Sequence, residues 1–156
     1  MMRKLLITTV LLMLQACTTL GTTEATRDIT YHLTTTSDIN QDIHGEATPI
    51  VVHVYQLTAE HVFNRSSYET LIFNQKGSSL GNDVLSVDEY LIMPGTTKML
   101  DMTIDQRTRY IGIAAAYNNP DDVTWRTIVT ITKDSLFSDT NINIQLNKLG
   151  VNALTQ

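Results

Sequence analysis

Four histidines and two pairs of adjacent carboxylates are the groups in this 156-residue chain that could bind a metal ion or transfer protons. They are His32, His44, His53 and His61, together with Asp88-Glu89 and Asp121-Asp122. No two histidines have a metal-ligand spacing such as i, i+4 on a helix or His-x-His on a strand. His32 and His53 lie on predicted strands that could be neighbours, so a facing pair stays open, although two histidines on polar faces is the simpler interpretation.

The carboxylates and serines form no catalytic pattern either. Asp88 and Glu89 fall on a predicted strand, where neighbouring side chains point to opposite faces, so they cannot act as a dyad. Asp121 and Asp122 follow residues 118–120, Asn-Asn-Pro, which is typical of a turn. The chain has no Gly-x-Ser-x-Gly, phosphate-loop or zinc signature. We therefore expect a protein that is not an enzyme, with no catalytic residue, no metal and no bound cofactor.

The single cysteine, Cys17, indicates covalent modification. It follows Leu14-Gln15-Ala16, and this tetrapeptide resembles the bacterial lipobox, in which the cysteine sulfur takes a diacylglycerol and its freed amine is acylated. Upstream, Arg3 and Lys4 precede an apolar run that ends at Leu14, as in a secretory signal peptide. The run is shorter than the ~20 residues that cross a bilayer. We predict a signal peptide at residues 1–16 and lipidation of Cys17; an ordinary signal peptide with a chance cysteine is the alternative.

Composition limits what the mature chain can do. Removing residues 1–16 leaves 140 of the 156 residues, enough for one domain. Without Arg3 and Lys4, the 11 basic residues become 9 against 16 acidic ones, and the formal net charge falls from −5 to −7. This acidity argues against nucleic-acid binding and against electrostatic docking on anionic lipid. The acyl chains would be the membrane anchor, and no cysteine is left for a disulfide.

The rest of the chain reads as a short tether followed by a β-domain. Residues 17–27 contain the lipidated cysteine and a segment without periodicity, and the domain is predicted at 28–156. Apolar and polar residues alternate from residue 29 onward, as in half-buried strands. Strands are predicted around 29–33, 50–57, 84–92, 100–104, 110–117, 125–131 and 142–146. This number and spacing favour an all-β fold with two sheets packed as a β-sandwich.

One interruption of the strand pattern is helical. Ser66 and Glu69 fit a capping box, and the residues that follow place apolar side chains on one face at i, i+3 and i+4. A weaker helix is predicted near 59–63, and 74–82 is predicted as a surface loop. The small residues Gly112, Ala114 and Ala116 share one strand face, which indicates close approach by another element such as the helix.

The connection between the first two strands is the candidate binding segment. It carries three acids, no Lys or Arg, and two isoleucines on what should be a solvated loop. Apolar side chains displayed on a loop suit partner recognition; alternatively, both isoleucines fold back and plug the open end of the sandwich. The segment consists of Asp38, Ile39, Asn40, Gln41, Asp42, Ile43, His44, Gly45, Glu46 and Ala47.

Several segments, in this order behind a lipobox, resemble the TssJ (SciN) family of type VI secretion lipoproteins. They are residues 49–57 (PIVVHVYQL), the helical stretch 63–73, Met93-Pro94-Gly95, residues 110–117 (YIGIAAAY) and Trp125-Arg126. The resemblance runs from the lipobox to about Leu146. It implies a transthyretin-like β-sandwich with a small helical insertion, on the periplasmic face of the outer membrane.

The same resemblance implies a partner. Family members bind the periplasmic C-terminal part of the inner-membrane protein TssM and, with TssL, form the envelope-spanning TssJ-TssL-TssM membrane complex. The loop after the first strand, here Asp38–Ala47, is the element associated with that contact. Thr18 after the cysteine, in place of Asp, fits sorting to the outer membrane. A generic periplasmic binding or stabilising lipoprotein with no secretion role is the alternative function.

We predict that Cys17 is needed for placement and not for folding, because the fold has no other use for a thiol. Cys17→Ser with the signal peptide retained should give a soluble or uncleaved protein that does not support secretion, measured by fractionation and a secretion assay. A chain without residues 1–17 should still fold. Normal secretion by an unlipidated Cys17→Ser protein would contradict the prediction.

Overall fold

The computed structural model describes residues 26–73, 78–131 and 140–155. The predicted signal peptide, Cys17 and most of the predicted tether lie outside these ranges. Strand β1 begins at Thr26, two residues before the predicted start of the domain. The strands are β1 (Thr26–Thr35), β2 (Ile50–Leu57), β3 (Val84–Ile92), β4 (Thr97–Asp105), β5 (Tyr110–Ala115), β6 (Arg126–Thr130), β7 (Thr140–Asn147) and β8 (Gly150–Thr155), and the helices are α1 (His61–Arg65) and α2 (Tyr68–Phe73).

The strands form two four-stranded sheets that pack face to face. The first sheet has the order β4-β1-β7-β8, and the second has the order β3-β2-β5-β6. Neighbouring strands are antiparallel except β1 and β7, which run parallel. The predicted all-β sandwich with a short helical insertion is therefore confirmed. The insertion follows β2 and lies on the second sheet.

The main core lies between the sheets and follows from strand alternation. Ile29, Tyr31 and Leu33 of β1 are buried, and Val52 and Val54 of β2 belong to the same core cluster. Because side chains alternate along a strand, the polar residues between the buried ones face away from the core. This alternation fixes the register, since a slip by one residue would expose every apolar side chain of β1.

A second, smaller core lies between the outer face of the second sheet and the helical insertion. Tyr55 and Leu57 of β2 are buried there with Phe63 of α1 and Leu71 of α2. The rings of Tyr55 and Phe63 meet edge to face at 5.3 Å. The Tyr55 hydroxyl donates to the Leu71 carbonyl, and burial raises the pKa of Tyr55 to about 12. Strand β2 is thus buried on both faces, as its sequence predicts.

Small residues on β5 make room for the helices, as expected. A Cβ atom at Gly112 would lie 2.7 Å from Cε2 of Phe63, so the α1 ring packs directly on the strand backbone. Ala114 is fully buried in the same cluster as Leu71 and Ile72 of α2. Both helices therefore contact this face, whereas the sequence suggested α2 alone.

Two local predictions around the insertion were wrong, and one strand elsewhere was missed. Ser66 ends α1, where its hydroxyl donates to the Val62 carbonyl at 2.8 Å, and the cap of α2 is Ser67, whose Oγ accepts from the Thr70 amide at 3.3 Å. The link between the helices is so short that the first serine is used to finish α1. Part of the predicted surface loop, Ser78–Asp83, forms two short 3-10 turns separated by a kink at Gly81, with Leu80 buried. Residues 74–77 lie outside the described part of the chain. Strand β8 was not predicted.

We predict that enlarging the small face of β5 destabilises the fold. Ala114→Leu should lower the free energy of unfolding by about 1–3 kcal/mol, because the helices leave no space for a larger side chain. Urea denaturation measures this change, and Gln106→Leu, at an exposed turn position, is the control that should change it little. An unchanged midpoint for Ala114→Leu would mean that this face is not tightly packed.

Candidate functional site

The predicted binding segment, Asp38–Ala47, lies at the end of the sandwich opposite the start of β1. Because β1 ends at Thr35 and β2 begins at Ile50, the segment is the connection that crosses from the first sheet to the second. The connections β5–β6 and β7–β8 emerge at the same end, since Ala115, Arg126, Asn147 and Gly150 all lie there. The β3–β4 connection lies there too, because Ile92 pairs with Ile50 and Thr97 pairs with Thr34. Four connections, including the segment itself, are thus available to form one surface.

The tip of the segment is a tight turn held by one carboxylate. The Asp42 side chain accepts hydrogen bonds from the backbone amides of His44, at 2.8 Å, and Glu46, at 2.9 Å. The Gly45 amide closes the turn on the Asp42 carbonyl at 3.0 Å, with Gly45 at φ = +81°, a conformation that glycine adopts at no steric cost. Gln41 and Ala47 pair below the turn as an antiparallel bridge. The tip is therefore an ordered hairpin-like turn.

Asn40 holds the base of the segment. It is 5% exposed and has φ = +50°, and its side-chain amide donates to Thr48 Oγ1 at 3.0 Å and to the Pro49 carbonyl at 2.9 Å. Its Oδ1 accepts from the Asn118 amide at 2.7 Å, and its carbonyl accepts from Asn118 Nδ2 at 3.0 Å. Every polar group of this side chain is thus used to tie the segment to β2 and to the β5–β6 connection.

The two isoleucines of the segment have opposite environments. Ile39 is fully buried and belongs to the main core, so it plugs the end of the sandwich. Ile43 is 95% exposed at the tip. Ile39 folds back into the core as one alternative predicted, and Ile43 is displayed in water, so partner recognition stays a prediction for Ile43. The expectation that both isoleucines share one role was wrong, because the chain turns at Asn40 between them.

The segment forms one wall of an open cleft of about 520 Å³. The opposite wall comes from the β5–β6 connection and includes Tyr117, Asn118, Asn119, Asp122 and Val123, and Lys148 of the β7–β8 turn completes the lining. The segment 118–122, which the sequence analysis treated as a turn, is therefore next to Asp38–Ala47. Nothing in the sequence signalled Lys148, since a single lysine in a two-residue turn has no pattern of its own.

Acidic groups outnumber basic ones around this cleft. Asp42 and Asp122 lie on its two walls, and Lys148 is the basic residue of its described lining. Asp38, Glu46 and Asp121 are close to these residues in the chain. A hydrogen bond from the Thr36 side chain lowers the pKa of Asp38, and the positive charge of Lys148 lowers it further. The cleft thus combines a negative rim with an exposed isoleucine.

The other candidate residues are not brought together. His32 lies on β1 and His53 on β2, which belong to different sheets, so the two strands are not neighbours as the facing histidine pair required. His53 is 3% exposed, and burial lowers its pKa, while the Glu89 carboxylate 3.9 Å away acts in the opposite direction. Across the described residues, no group of three or more His, Cys, Asp or Glu side chains is placed to bind a metal. The part of the chain that the structure covers includes no helix long and apolar enough to span a membrane.

The described strands define a small two-sheet β-sandwich, and comparison with known proteins identifies the family. A family model described as "Type VI secretion lipoprotein, VasD, EvfM, TssJ, VC_A0113" matches residues 27–149. The chain therefore belongs to the type VI secretion lipoprotein family that includes TssJ. No curated protein matches the sequence.

Solved structures share the fold of this chain. The T6SS lipoprotein TssJ1 from Pseudomonas aeruginosa superposes with a TM-score of 0.76 and 26% identity, covering 85% of this chain and 98% of that chain. Lip of Serratia marcescens, a membrane-bound component of the type VI secretion system, superposes with a TM-score of 0.74 and 23% identity, covering 85% of this chain and 99% of that chain. A chain of the structure described as "T6SS protein TssM C-terminal domain (869-1107) from EAEC" superposes with a TM-score of 0.68 and 23% identity. The superposition covers 81% of this chain and 97% of that chain.

We predict opposite stability effects for the two isoleucines. Ile39→Ser should lower the free energy of unfolding by about 2–5 kcal/mol, because it removes buried methyl groups and buries a hydroxyl in the core. Ile43→Ser should change it by less than about 0.5 kcal/mol, because the side chain is already in water. Chemical denaturation of the two variants under identical conditions tests both values. Equal destabilisation by the two substitutions would contradict the assignment of Ile39 to the core and Ile43 to the surface.

Proposed function

We propose that this protein is a lipid-anchored outer-membrane component of the type VI secretion membrane complex and that it binds the periplasmic C-terminal region of TssM through its loop end. The observation that carries the proposal is the fully displayed Ile43 at the tip of an ordered loop in a chain of this family. The name TssM enters from the family resemblance. The alternative, a stabilising lipoprotein without a secretion role, has no observation of its own in its favour.

An exposed isoleucine on a rigid loop is suited to partner binding. A large apolar side chain in water gains free energy when a partner covers it, and buried apolar anchors dominate the affinity of most interfaces. The Asp42 turn and the Asn40 base hold Ile43 in one place before binding, so little conformational entropy is lost on association. The acids Asp38 and Glu46 would act mainly on association rate and salt dependence.

The anchoring end of the proposed arrangement is Cys17, which we take to carry the acyl chains. It precedes Thr26 by nine residues, a distance of at most about 30 Å when extended. Because β1 begins at the end of the sandwich opposite Asp38–Ala47, the binding loops would face away from the membrane surface. This orientation leaves the loop end accessible to a partner that crosses the periplasm.

We expect Ile43→Ser to weaken binding of a purified TssM periplasmic fragment at least tenfold, because it removes the displayed apolar anchor. Calorimetry with the full-length lipoprotein in detergent measures the affinity. Leu154→Ser is the matched control, since Leu154 is 63% exposed on β8 and lies outside the loop end. Equal binding by both variants would show that Ile43 is not the anchor, and no binding by the unaltered chain would favour the role without secretion.

The acids of the loop should have a smaller effect that depends on salt. Asp38→Asn with Glu46→Gln should slow association at low ionic strength and have little effect at high ionic strength. Asp42 is kept in this variant, because its carboxylate holds the turn and its removal would change the loop itself.

A further inference from the structure

The helical insertion and the binding loop meet at a single peptide group. This group joins Tyr117 to Asn118 in the β5–β6 connection. Its carbonyl accepts a hydrogen bond from the Tyr68 hydroxyl of α2 at 2.7 Å. Its amide donates to Oδ1 of Asn40 in the loop at 2.7 Å. One rigid, planar unit is therefore held from the helix on one side and from the loop on the other.

Several contacts fix Tyr68 itself. Its ring meets the Trp125 ring edge to face, with 5.2 Å between the ring centres. The guanidinium of the next residue, Arg126, lies 4.7 Å from the centre of the Trp125 ring. Arg126 also donates to the carbonyls of Phe63 and Ser66 at the end of α1, and burial lowers its pKa. Helix α2 is thus attached to the β5–β6 connection that supports the loop, and α1 is attached to Arg126, the first residue of β6 after that connection.

The Tyr117 side chain also links the β5–β6 connection to the β7–β8 turn. Its ring is 4% exposed, and its hydroxyl donates to the Asn147 carbonyl at 2.8 Å, directly before Lys148 and Leu149 in the β7–β8 turn. The peptide group of Tyr117 and Asn118 is therefore the point from which α2, the Asp38–Ala47 segment and the β7–β8 turn are all positioned.

We propose that the helical insertion acts as a support for the binding end and that Tyr68 is a positioning residue for the loop that carries Ile43. The inference rests on the proposed function for the binding role of the loop and for the identity of the partner, and the positioning by Tyr68 is independent of both. Removing the Tyr68 hydroxyl leaves the Tyr117 carbonyl without this donor, while the ring contact with Trp125 is kept. The peptide group then gains freedom, and Asn40 holds the loop less firmly.

The test compares Tyr68→Phe with Tyr90→Phe in the full-length protein in detergent. Tyr90 is the matched control, because its part-buried hydroxyl also makes one hydrogen bond, to the Met102 sulfur on β4. Hydrogen–deuterium exchange at the Asn118 amide, read by mass spectrometry, reports the positioning without any partner. Affinity for the TssM fragment reports its consequence, and the thermal midpoint reports global stability.

Tyr68→Phe should accelerate exchange at Asn118 by about two- to tenfold and weaken TssM binding by a similar factor, as expected for one neutral hydrogen bond. Tyr90→Phe should change neither, even where its thermal midpoint falls equally. Unchanged exchange in Tyr68→Phe would overturn the inference whatever the partner does, and faster exchange with unchanged affinity would overturn the link to binding. Faster exchange in a chain whose unaltered form does not bind TssM would support the positioning and refute the proposed function instead.

Discussion

The burial of β2 on both faces is the constraint on which the rest of this structure depends. One face of the strand closes the core between the sheets, and the other is covered by the helical insertion through Tyr55 and Leu57. Because one central strand belongs to both cores, the insertion cannot detach without exposing Phe63, Leu71 and their neighbours to water. The helices are too short to be stable alone, so their stability comes from this packing.

Much of the fold could be predicted because half-buried strands show a local alternation of apolar and polar residues. The pattern around Tyr31 and the doubly apolar run of β2 gave the right strands, and the small residues of β5 correctly indicated a close approach. Strand β8 was missed because Val151 and Ala153 make only a short, weak alternation that ends with the exposed Leu154. The helix cap was displaced by one residue because two consecutive serines offer equivalent hydroxyls, and only the length of the link between the helices selects one.

The candidate site was predictable as a segment and not as a set of roles. Ile39 and Ile43 are the same residue type in the same loop, and their division into core and surface depends on the positive φ of Asn40 between them. That conformation is fixed by contacts with Thr48 and with Asn118, which is 78 residues away in the chain. No local pattern records such a long-range hydrogen bond. Asp42, similarly, looked like one of three surface charges and is a structural acceptor of backbone amides.

The path of β1 has a mechanical consequence. This strand starts where the N-terminal segment enters the fold and ends where the Asp38–Ala47 segment begins, over roughly 30 Å. It lies inside its sheet, hydrogen-bonded to β4 on one side and to β7 on the other. Tension between the two ends of the domain therefore pulls along β1 in shear and loads both ladders of hydrogen bonds together, whereas a strand pulled from a sheet edge would unzip one bond at a time. Under such tension, the strand that would carry the load is held on both sides.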